Sequence, residues 1–312
     1  MVKPSRSIAR RFVLRQLALG LGTAWTPWVG AQTPPKGPVA LKPIPSTGEM
    51  LPVVGLGTWI TFNVGNDRAA RDACADVMKA FFEAGGRMID SSPMYGSSQP
   101  VVGHGLARLG LAARVFAADK VWTSSGARGP GQVEESRRHW NIARFDLLQV
   151  HNLLGWEEQL PMLFSMKQAG RLRYVGITTS EGRRHREIED VMRRHPLDFV
   201  QVTYNLLDRE VEQRILPLAR ERGIAVIANR PFREGALLRD LQRHRLPAWA
   251  AEVDCASWAQ VALKFIVSHP ALACAIPATS SVGHVRENMA AATGRMPDAA
   301  LRQRIAAHVD AL

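Results

Sequence analysis

Apolar residues follow two different rhythms along most of the chain. Short continuous apolar runs of strand length lie at residues 53–57, 87–90, 115–118, 147–151, 174–178, 199–203, 225–228 and 273–277. Between them, apolar residues recur at helical spacing over residues 69–84, 132–143, 157–169, 183–194, 211–222 and 256–268. Strands that alternate with helices form parallel sheets covered by helices. The pattern predicts an α/β fold, and eight such strands over roughly 250 residues predict a (β/α)8 TIM barrel.

A doubly wound sheet shares this alternation of strands and helices. That fold usually carries a glycine-rich G-x-G-x-x-G turn directly after an early strand, where it binds a dinucleotide. The segment GLGTW at residues 55–59 has two glycines but does not match this fingerprint. We therefore favour the closed barrel over the open sheet.

The first 31 residues have the composition of a targeting segment. Five basic residues and no acidic residue lie before position 17, and residues 17–31 form an apolar stretch without charge. Arg10 and Arg11 resemble the arginine pair of a twin-arginine export signal. We predict a signal peptide over residues 1–31, with an ordinary secretory signal or an uncleaved anchor as alternatives. The mature protein is then expected in the periplasm, without a stable membrane anchor.

The sequence after this signal divides into a linker and one domain. Five prolines between residues 34 and 45 predict an extended linker over residues 32–45. Residues 46–312 are predicted to form the barrel domain. The composition, 46% hydrophobic and 22% charged, is that of an ordinary globular protein.

Charge and cysteine content exclude several classes of partner. The net charge of +12 falls to +7 (12 − 5) without the five basic residues of the signal. The basic runs at 183–186 and 193–196 fit solvated helix faces, and no basic patch is interleaved with aromatic residues. We therefore predict no nucleic-acid partner. Three widely spaced cysteines form neither a disulfide framework nor a zinc site, and no metal is predicted.

Four polar residues follow the carboxyl ends of successive predicted strands, where barrel enzymes place their chemistry. Asp90 ends the second strand and Tyr95 lies in the following loop, whereas Lys120 and His151 end the third and fourth strands. Asp90 can neutralise Lys120, and a lysine cation beside the Tyr95 phenol lowers its pKa from ~10 by about 1–3 units. Such a phenol can donate a proton near neutral pH, while His151 orients a carbonyl oxygen.

Each of these residues alone also has a structural explanation. A lysine after a strand is commonly a surface residue, and a histidine after an apolar run is commonly a hydrogen-bonded core residue. A loop tyrosine can serve packing, and an aspartate can cap the next segment. Their occurrence together at three successive strand ends favours a catalytic site.

Five motifs resemble those of the aldo-keto reductases: GLGTW, IDSSPMYG, ADKVW, DLLQVHN and IPATSSVGHVREN, in this order over residues 44–288. The resemblance implies a barrel enzyme that reduces carbonyls to alcohols with a nicotinamide cofactor, usually NADPH. It places the family's catalytic tetrad on Asp90, Tyr95, Lys120 and His151. Tyr95 would be the general acid, Asp90 and Lys120 would tune it, and His151 would orient the carbonyl.

The resemblance also implies a set of cofactor contacts. These contacts fall on Gly57, Thr58, Thr178, Thr179, Gln201, Asn229, Arg230, Thr279, Ser280, Ser281, His284, Glu287 and Asn288. Asn229 stands where many members have a tyrosine that stacks on the nicotinamide. Ala278 and His284 stand where basic residues are usual, and histidine binds a 2′-phosphate less strongly than arginine does. NADP(H) is still predicted over NAD(H), with Arg286 as a compensating cation.

The resemblance places Asn152 in the substrate pocket, in the position of a usual tryptophan. Trp59 and Trp122 are candidate apolar walls of this pocket, with core packing as the alternative. Only 24 residues (312 − 288) follow Asn288, so we expect no long C-terminal loop over the pocket. An open site with loose selectivity for small carbonyl substrates follows. The chain is expected to be a monomer.

The function predicted is therefore an exported carbonyl reductase. Free nicotinamide cofactor is scarce outside the cytoplasm, which suggests loading before export and a possible redox partner. A cofactor-binding sensor or redox-partner subunit with little turnover is the alternative. A sugar-binding or hydrolytic barrel would need paired carboxylates at strand ends, which Asp90 and Asp146 do not supply.

Overall fold

The computed structural model of the protein describes residues 37–312. The signal peptide predicted for residues 1–31 and the first part of the predicted linker lie outside these residues. Between residues 37 and 312, no helix combines the length and the apolar character that crossing a membrane requires.

A two-stranded hairpin precedes the barrel and closes its lower end. Strand β1 (Leu41–Pro43) pairs antiparallel with β2 (Met50–Pro52). Ile44 and Leu51 are fully buried there, in a cluster with side chains from the barrel interior. The extended linker predicted to reach residue 45 therefore ends earlier, because its last residues pair as a strand and bury an isoleucine.

Eight parallel strands form the barrel. They are β3 (Leu56–Gly57), β4 (Met88–Asp90), β5 (Phe116–Val121), β6 (Phe145–Val150), β7 (Leu172–Thr178), β8 (Phe199–Thr203), β9 (Ala225–Asn229) and β10 (Leu272–Ala275). Each strand pairs with the next one along the chain. Bridges between Val54 and Ala275 and between Gly57 and Ala278 join the first strand to the last. The predicted (β/α)8 fold is confirmed.

Gly57 marks the seam at which the barrel closes. A Cβ atom on this residue would lie 2.7 Å from the carbonyl oxygen of Ile276 on the last strand segment. No side chain tolerates that approach to backbone, so a glycine is required for the two strands to meet.

Ten helices surround the strands in the described part of the chain. They are α1 (Arg68–Glu83), α2 (Ser98–Leu109), α3 (Gly129–Trp140), α4 (Trp156–Gln168), α5 (His185–Arg194), α6 (Ile215–Arg222), α7 (Ala236–Leu241), α8 (Trp258–Val267), α9 (Val282–Ala290) and α10 (Ala299–Asp310). In α1, Asp67 caps the first turn, and Cys74, Met78 and Phe81 form a buried stripe at helical spacing. Most predicted helix bounds agree within a few residues. Helix α6 begins later than predicted, because residues 210–212 form a separate 3-10 turn.

The three cysteines are unpaired thiols buried in the interior. Burial raises the pKa of Cys74, and it raises the pKa of Cys255 to about 11. Cys274, on β10, is shifted in the same direction. None of the three thiols contributes to a disulfide or forms a thiolate at neutral pH.

Candidate active site

The carboxyl ends of the barrel strands open into a cleft of about 820 Å³. Its walls come from Gln201 within β8 and from the ends of β3, β4, β6, β7, β9 and β10 with the loops that follow them. Fifteen of the predicted site residues line it: Gly57, Thr58, Trp59, Asp90, Tyr95, His151, Asn152, Thr178, Gln201, Asn229, Arg230, Thr279, His284, Glu287 and Asn288. Residues far apart in sequence thus converge on one concave site, as is usual for barrel enzymes.

Lys120 and Asp90 form a buried ion pair below the floor of the cleft. The Lys120 Nζ donates to Asp90 Oδ1 at 2.5 Å and to the Ser91 carbonyl at 2.8 Å. Both side chains are almost completely shielded from solvent. Burial is the largest single influence and lowers the pKa of Lys120, but Asp90, Tyr95 and Asp119 together outweigh it and the net shift is upward. The lysine is therefore held as a cation.

A tight turn after β4 positions Tyr95 above this pair. The Tyr95 amide donates to the Ser92 carbonyl at 3.0 Å, and the Ser98 hydroxyl donates to the Tyr95 carbonyl at 2.9 Å. Gly96 has φ +59°, and a Cβ on it would lie 2.3 Å from the Asn63 side chain. The Lys120 Nζ lies 5.1 Å from the centre of the tyrosine ring.

The predicted fall in the pKa of Tyr95 is wrong in sign. Burial raises the pKa of this phenol, Lys120 lowers it, and Asp90 raises it again, for a net upward shift. Lys120 acts in the expected direction, but the loss of water around a phenolate costs more than the lysine recovers. The phenol therefore stays protonated throughout the neutral range.

His151 follows β6 and faces Tyr95 across the cleft. Their ring centres lie 5.7 Å apart, with the planes at 83°. Burial, and then the cation of Lys120, hold the pKa of His151 well below its usual range. The imidazole is therefore neutral at neutral pH. Its Nδ1 lies 2.8 Å from the hydroxyl of Ser92, a residue that the sequence analysis missed.

Gln201 connects the ion pair to the cofactor side of the cleft. Its Nε2 donates to Asp90 Oδ2 at 3.0 Å. Its Oε1 has one 3.5 Å contact in the described chain, with Asn229 Nδ2. Asn229 donates to the Thr179 carbonyl at 2.9 Å and accepts from the Thr203 hydroxyl at 2.8 Å. It is thus held in a polar network and cannot serve as a stacking platform.

Five predicted site residues are not among those that line the cleft: Lys120, which forms the ion pair described above, and Thr179, Ser280, Ser281 and Trp122. Thr179 is buried and donates its hydroxyl to the Arg183 carbonyl, so that Ser180 lines the cleft instead. Ser281 caps α9 through the amide of His284, and Ser280 is exposed beside it. Trp122 is 41% exposed, and the side chain of Gln132 accepts from its backbone amide and donates to its carbonyl. The predicted roles of Thr179, Ser280, Ser281 and Trp122 stay predictions.

Comparison with known protein families identifies the family of this chain. The model of the Aldo/keto reductase family matches residues 53–306, which include the whole barrel and the residues at its carboxyl end. The chain belongs to the aldo/keto reductase family.

Several members of this family are similar over most of their length. The methylglyoxal reductase YeaE of Escherichia coli (strain K12) is 29% identical over 257 residues, covering 80% of this chain and 88% of that protein. The NADH-specific methylglyoxal reductase of the same organism is 26% identical over 242 residues, covering 67% and 72%. An aldo/keto reductase from Klebsiella pneumoniae, solved in complex with NADP and acetate, superposes with a TM-score of 0.70 at 25% identity, covering 85% and 92%.

The cleft of this aldo/keto reductase fits a nicotinamide dinucleotide. The Oε1 of Gln201 can accept a hydrogen bond from a carboxamide, because only the long Asn229 contact occupies it. At the other end, the first turn of α9 presents backbone amides that have no partner within the helix, a suitable site for phosphate. Glu287 and Asn288 line the cleft beyond that turn and can bind an adenosine.

The same end of the cleft offers little positive charge for a 2′-phosphate. Arg230 lines the cleft, but it pairs with Glu181 at 3.0 Å and with Glu234 at 2.6 Å. Arg183 also pairs with Glu181. His284 also lines the cleft, and it lies on the first turn of α9. No group of three or more metal-binding side chains occurs between residues 37 and 312.

Proposed function

We propose that this aldo/keto reductase reduces small aldehydes and ketones to alcohols with NAD(P)H. The observation that carries the proposal is the buried Lys120–Asp90 pair directly beneath the protonated phenol of Tyr95, with the neutral His151 beside it. Similarity to two methylglyoxal reductases supports a short 2-oxoaldehyde as substrate.

The residues of the cleft divide the chemistry between them. A bound reduced nicotinamide supplies the hydride that the carbonyl carbon receives. Tyr95 gives its phenolic proton to the carbonyl oxygen, as a general acid. The Lys120 cation stabilises the resulting phenolate, and Asp90 keeps that cation in place in the low-dielectric interior. His151 aligns the carbonyl oxygen with the phenol, since it faces Tyr95 across the cleft.

Gln201 and the first turn of α9 are the proposed anchors of the cofactor. Gln201 would hold the carboxamide, and the amides of α9 together with Thr279 would hold phosphate. The preference for NADP(H) over NAD(H) stays a prediction. The ion pairs of Arg230 weaken it, because a guanidinium already bound by two carboxylates has less charge to offer a phosphate.

Export to the periplasm is a further part of the proposal. It rests on Arg10 and Arg11 and on the uncharged apolar stretch that follows them. Expression of the full chain followed by cell fractionation tests it. We expect periplasmic protein with residue 32 at its amino end, and retention in the cytoplasm when both arginines are replaced by lysine. Equal distribution of both forms would contradict the proposed route.

Two measurements on the folded protein test the enzymatic proposal. Quenching of tryptophan fluorescence by NADPH and by NADH reports binding. Loss of the near-ultraviolet absorbance of the reduced cofactor reports turnover of methylglyoxal and a panel of aldehydes. We expect tight binding of at least one cofactor and turnover of short aldehydes. Binding without any turnover would instead identify a cofactor-binding subunit, and binding of neither cofactor would contradict both functions.

A further inference from the structure

We propose that Ser92 is a positioning residue that fixes His151 in the tautomer with its proton on Nε2. In this tautomer His151 presents an N–H donor, and not a lone pair, to the cleft. The proposal rests on the reduction proposed above, in which the carbonyl oxygen needs hydrogen-bond donors. The observation behind it is the hydrogen bond between the Ser92 hydroxyl and His151 Nδ1.

The partners of the Ser92 hydroxyl determine to which atom it donates its hydrogen. A serine hydroxyl carries one hydrogen and two lone pairs. The backbone amide of Met94 donates to Ser92 Oγ at 3.1 Å and uses one lone pair. His151 Nδ1, at 2.8 Å, is the other partner of this oxygen among residues 37–312. The hydroxyl hydrogen therefore has one acceptor available, the lone pair of Nδ1.

The opposite arrangement leaves a buried polar hydrogen without an acceptor. If Nδ1 carried the proton, it would donate to the second lone pair of Ser92 Oγ, and the hydroxyl hydrogen would have to point elsewhere. Ser92 is fully buried, so water does not reach this hydrogen. A buried donor without an acceptor is costly, and native structures rarely contain one. The network thus favours a lone pair on Nδ1 and a proton on Nε2.

The neutral state of the imidazole makes the choice of tautomer decisive. Burial and the neighbouring Lys120 cation keep His151 uncharged, so that it has a single N–H. Its Nδ1 is bound to Ser92, and the ring itself lines the cleft opposite Tyr95. With the proton on Nε2, the histidine and the phenol are both donors toward one substrate oxygen. With the proton on Nδ1, the Nε2 lone pair would repel that oxygen.

Two adjacent serines provide a matched pair of variants. Ser92→Ala removes the hydroxyl that contacts His151. Ser91→Ala removes a second buried hydroxyl, which accepts from Thr58 at 3.0 Å and has no contact with the histidine. Ser92→Thr keeps the hydroxyl, and its behaviour separates the loss of the hydrogen bond from a general loss of packing.

The direct readout is the tautomer of His151 in the full chain labelled with ¹⁵N-histidine. Long-range ¹H–¹⁵N correlation spectra distinguish the protonated from the unprotonated ring nitrogen, and His151→Gln identifies which of the nine histidines gives the signal. We expect Nε2 to be protonated in the wild type, in Ser91→Ala and in Ser92→Thr. We expect a mixture of tautomers in Ser92→Ala. A wild-type ring protonated on Nδ1, or an unchanged Nε2-protonated ring in Ser92→Ala, would overturn the proposal.

Kinetics give the second readout. In Ser92→Ala we expect kcat/KM to fall roughly tenfold, less than the 10²–10³-fold lost when a donor of this kind is removed outright. The Kd for reduced cofactor should stay within about twofold, since Ser92 is not part of the cleft wall. An enzyme without turnover would contradict the proposed function, but the tautomer of its His151 would still decide this proposal.

Discussion

The side chain of Gln201 donates a 3.0 Å hydrogen bond to the same carboxylate of Asp90 whose other oxygen binds Lys120. One buried carboxylate thus connects the residue that holds the cation near Tyr95 to the residue proposed to hold the nicotinamide. Because both donors share the carboxylate, a change at either one alters its position and its charge balance. Substitutions at Tyr95, Lys120 and Gln201 are therefore expected to affect one another.

Replacement of Tyr95 by phenylalanine should abolish most turnover while the fold remains. Loss of a positioned general acid typically costs about 10²–10⁴-fold in rate. Reduction of methylglyoxal should fall within this range, with the Kd for cofactor changed less than about twofold. Tyr174→Phe is the matched control, because that phenol lies at the lower end of the barrel and bonds to Glu49. A Tyr95→Phe enzyme with wild-type kcat would exclude the tyrosine as the acid.

Lys120→Met should destabilise the barrel strongly. The substitution leaves the carboxylate of Asp90 buried without its counter-ion, which costs about 3–5 kcal/mol. Urea unfolding followed by tryptophan fluorescence measures this loss. The double variant Lys120→Met/Asp90→Asn should be more stable than the sum of the single effects predicts, since neither charge remains.

The exposed pair of Lys79 and Glu83 provides the control for Lys120→Met. Their charged atoms are 3.5 Å apart, and both side chains are more than half exposed. Lys79→Met should leave the unfolding curve essentially unchanged, because water screens such pairs. An equal loss in the free energy of unfolding for Lys79→Met and Lys120→Met would show that the buried pair stabilises the fold no more than the exposed pair does.

The pH dependence of reduction should reflect the upward shift of the Tyr95 pKa. A general acid works in its protonated form, and a raised pKa keeps the phenol protonated to higher pH. We expect kcat/KM to fall above about pH 10, as the phenol ionises. His151 should add no step near pH 6.5, because it stays neutral there. Burial raises the pKa of Asp119, which accepts from the Lys120 amide, to about 7, so a step near pH 7 that Asp119→Asn removes belongs to that carboxyl. A fall near pH 7–8 that persists in Asp119→Asn would mean that Lys120 dominates over burial at Tyr95.

His284→Arg should strengthen the binding of NADPH relative to NADH. Arginine would place a permanent charge on the first turns of α9, where the 2′-phosphate is expected. A charge-assisted hydrogen bond of about 1.5 kcal/mol corresponds to roughly tenfold in Kd. Gln303→Arg, on the exposed side of α10, adds the same charge outside the cleft walls. A similar gain in both variants would indicate non-specific attraction and contradict a local phosphate site.

The alternation of strands and helices was sufficient to predict the barrel, because buried parallel strands are continuous apolar runs. It also predicted the meeting of Asp90, Lys120 and His151, since the carboxyl ends of the strands lie on one side of the barrel. Sequence could not show which of Thr178 and Thr179 faces the cleft. Neighbouring residues point to opposite sides, and the two side chains are identical.

Other differences arose from tertiary structure that short patterns do not encode. Trp122 follows β5 by one residue and is not among the residues that line the cleft, and Gln132 on α3 accepts from its backbone amide. A proline-rich segment predicted an extended linker, although Pro43 pairs with Met50 in the hairpin. The sign of the Tyr95 pKa shift depends on how much water reaches the phenol, and only the folded cleft determines that.

Because all three cysteine thiols are buried and unpaired, the stability of the fold does not depend on the redox state of its surroundings. Thiolates are the species that oxidants and alkylating reagents attack, and a raised pKa together with exclusion from solvent suppresses them. The barrel can thus be completed in a reducing compartment and persist in an oxidising one without a disulfide-forming catalyst. Folding of the barrel then requires no disulfide bond.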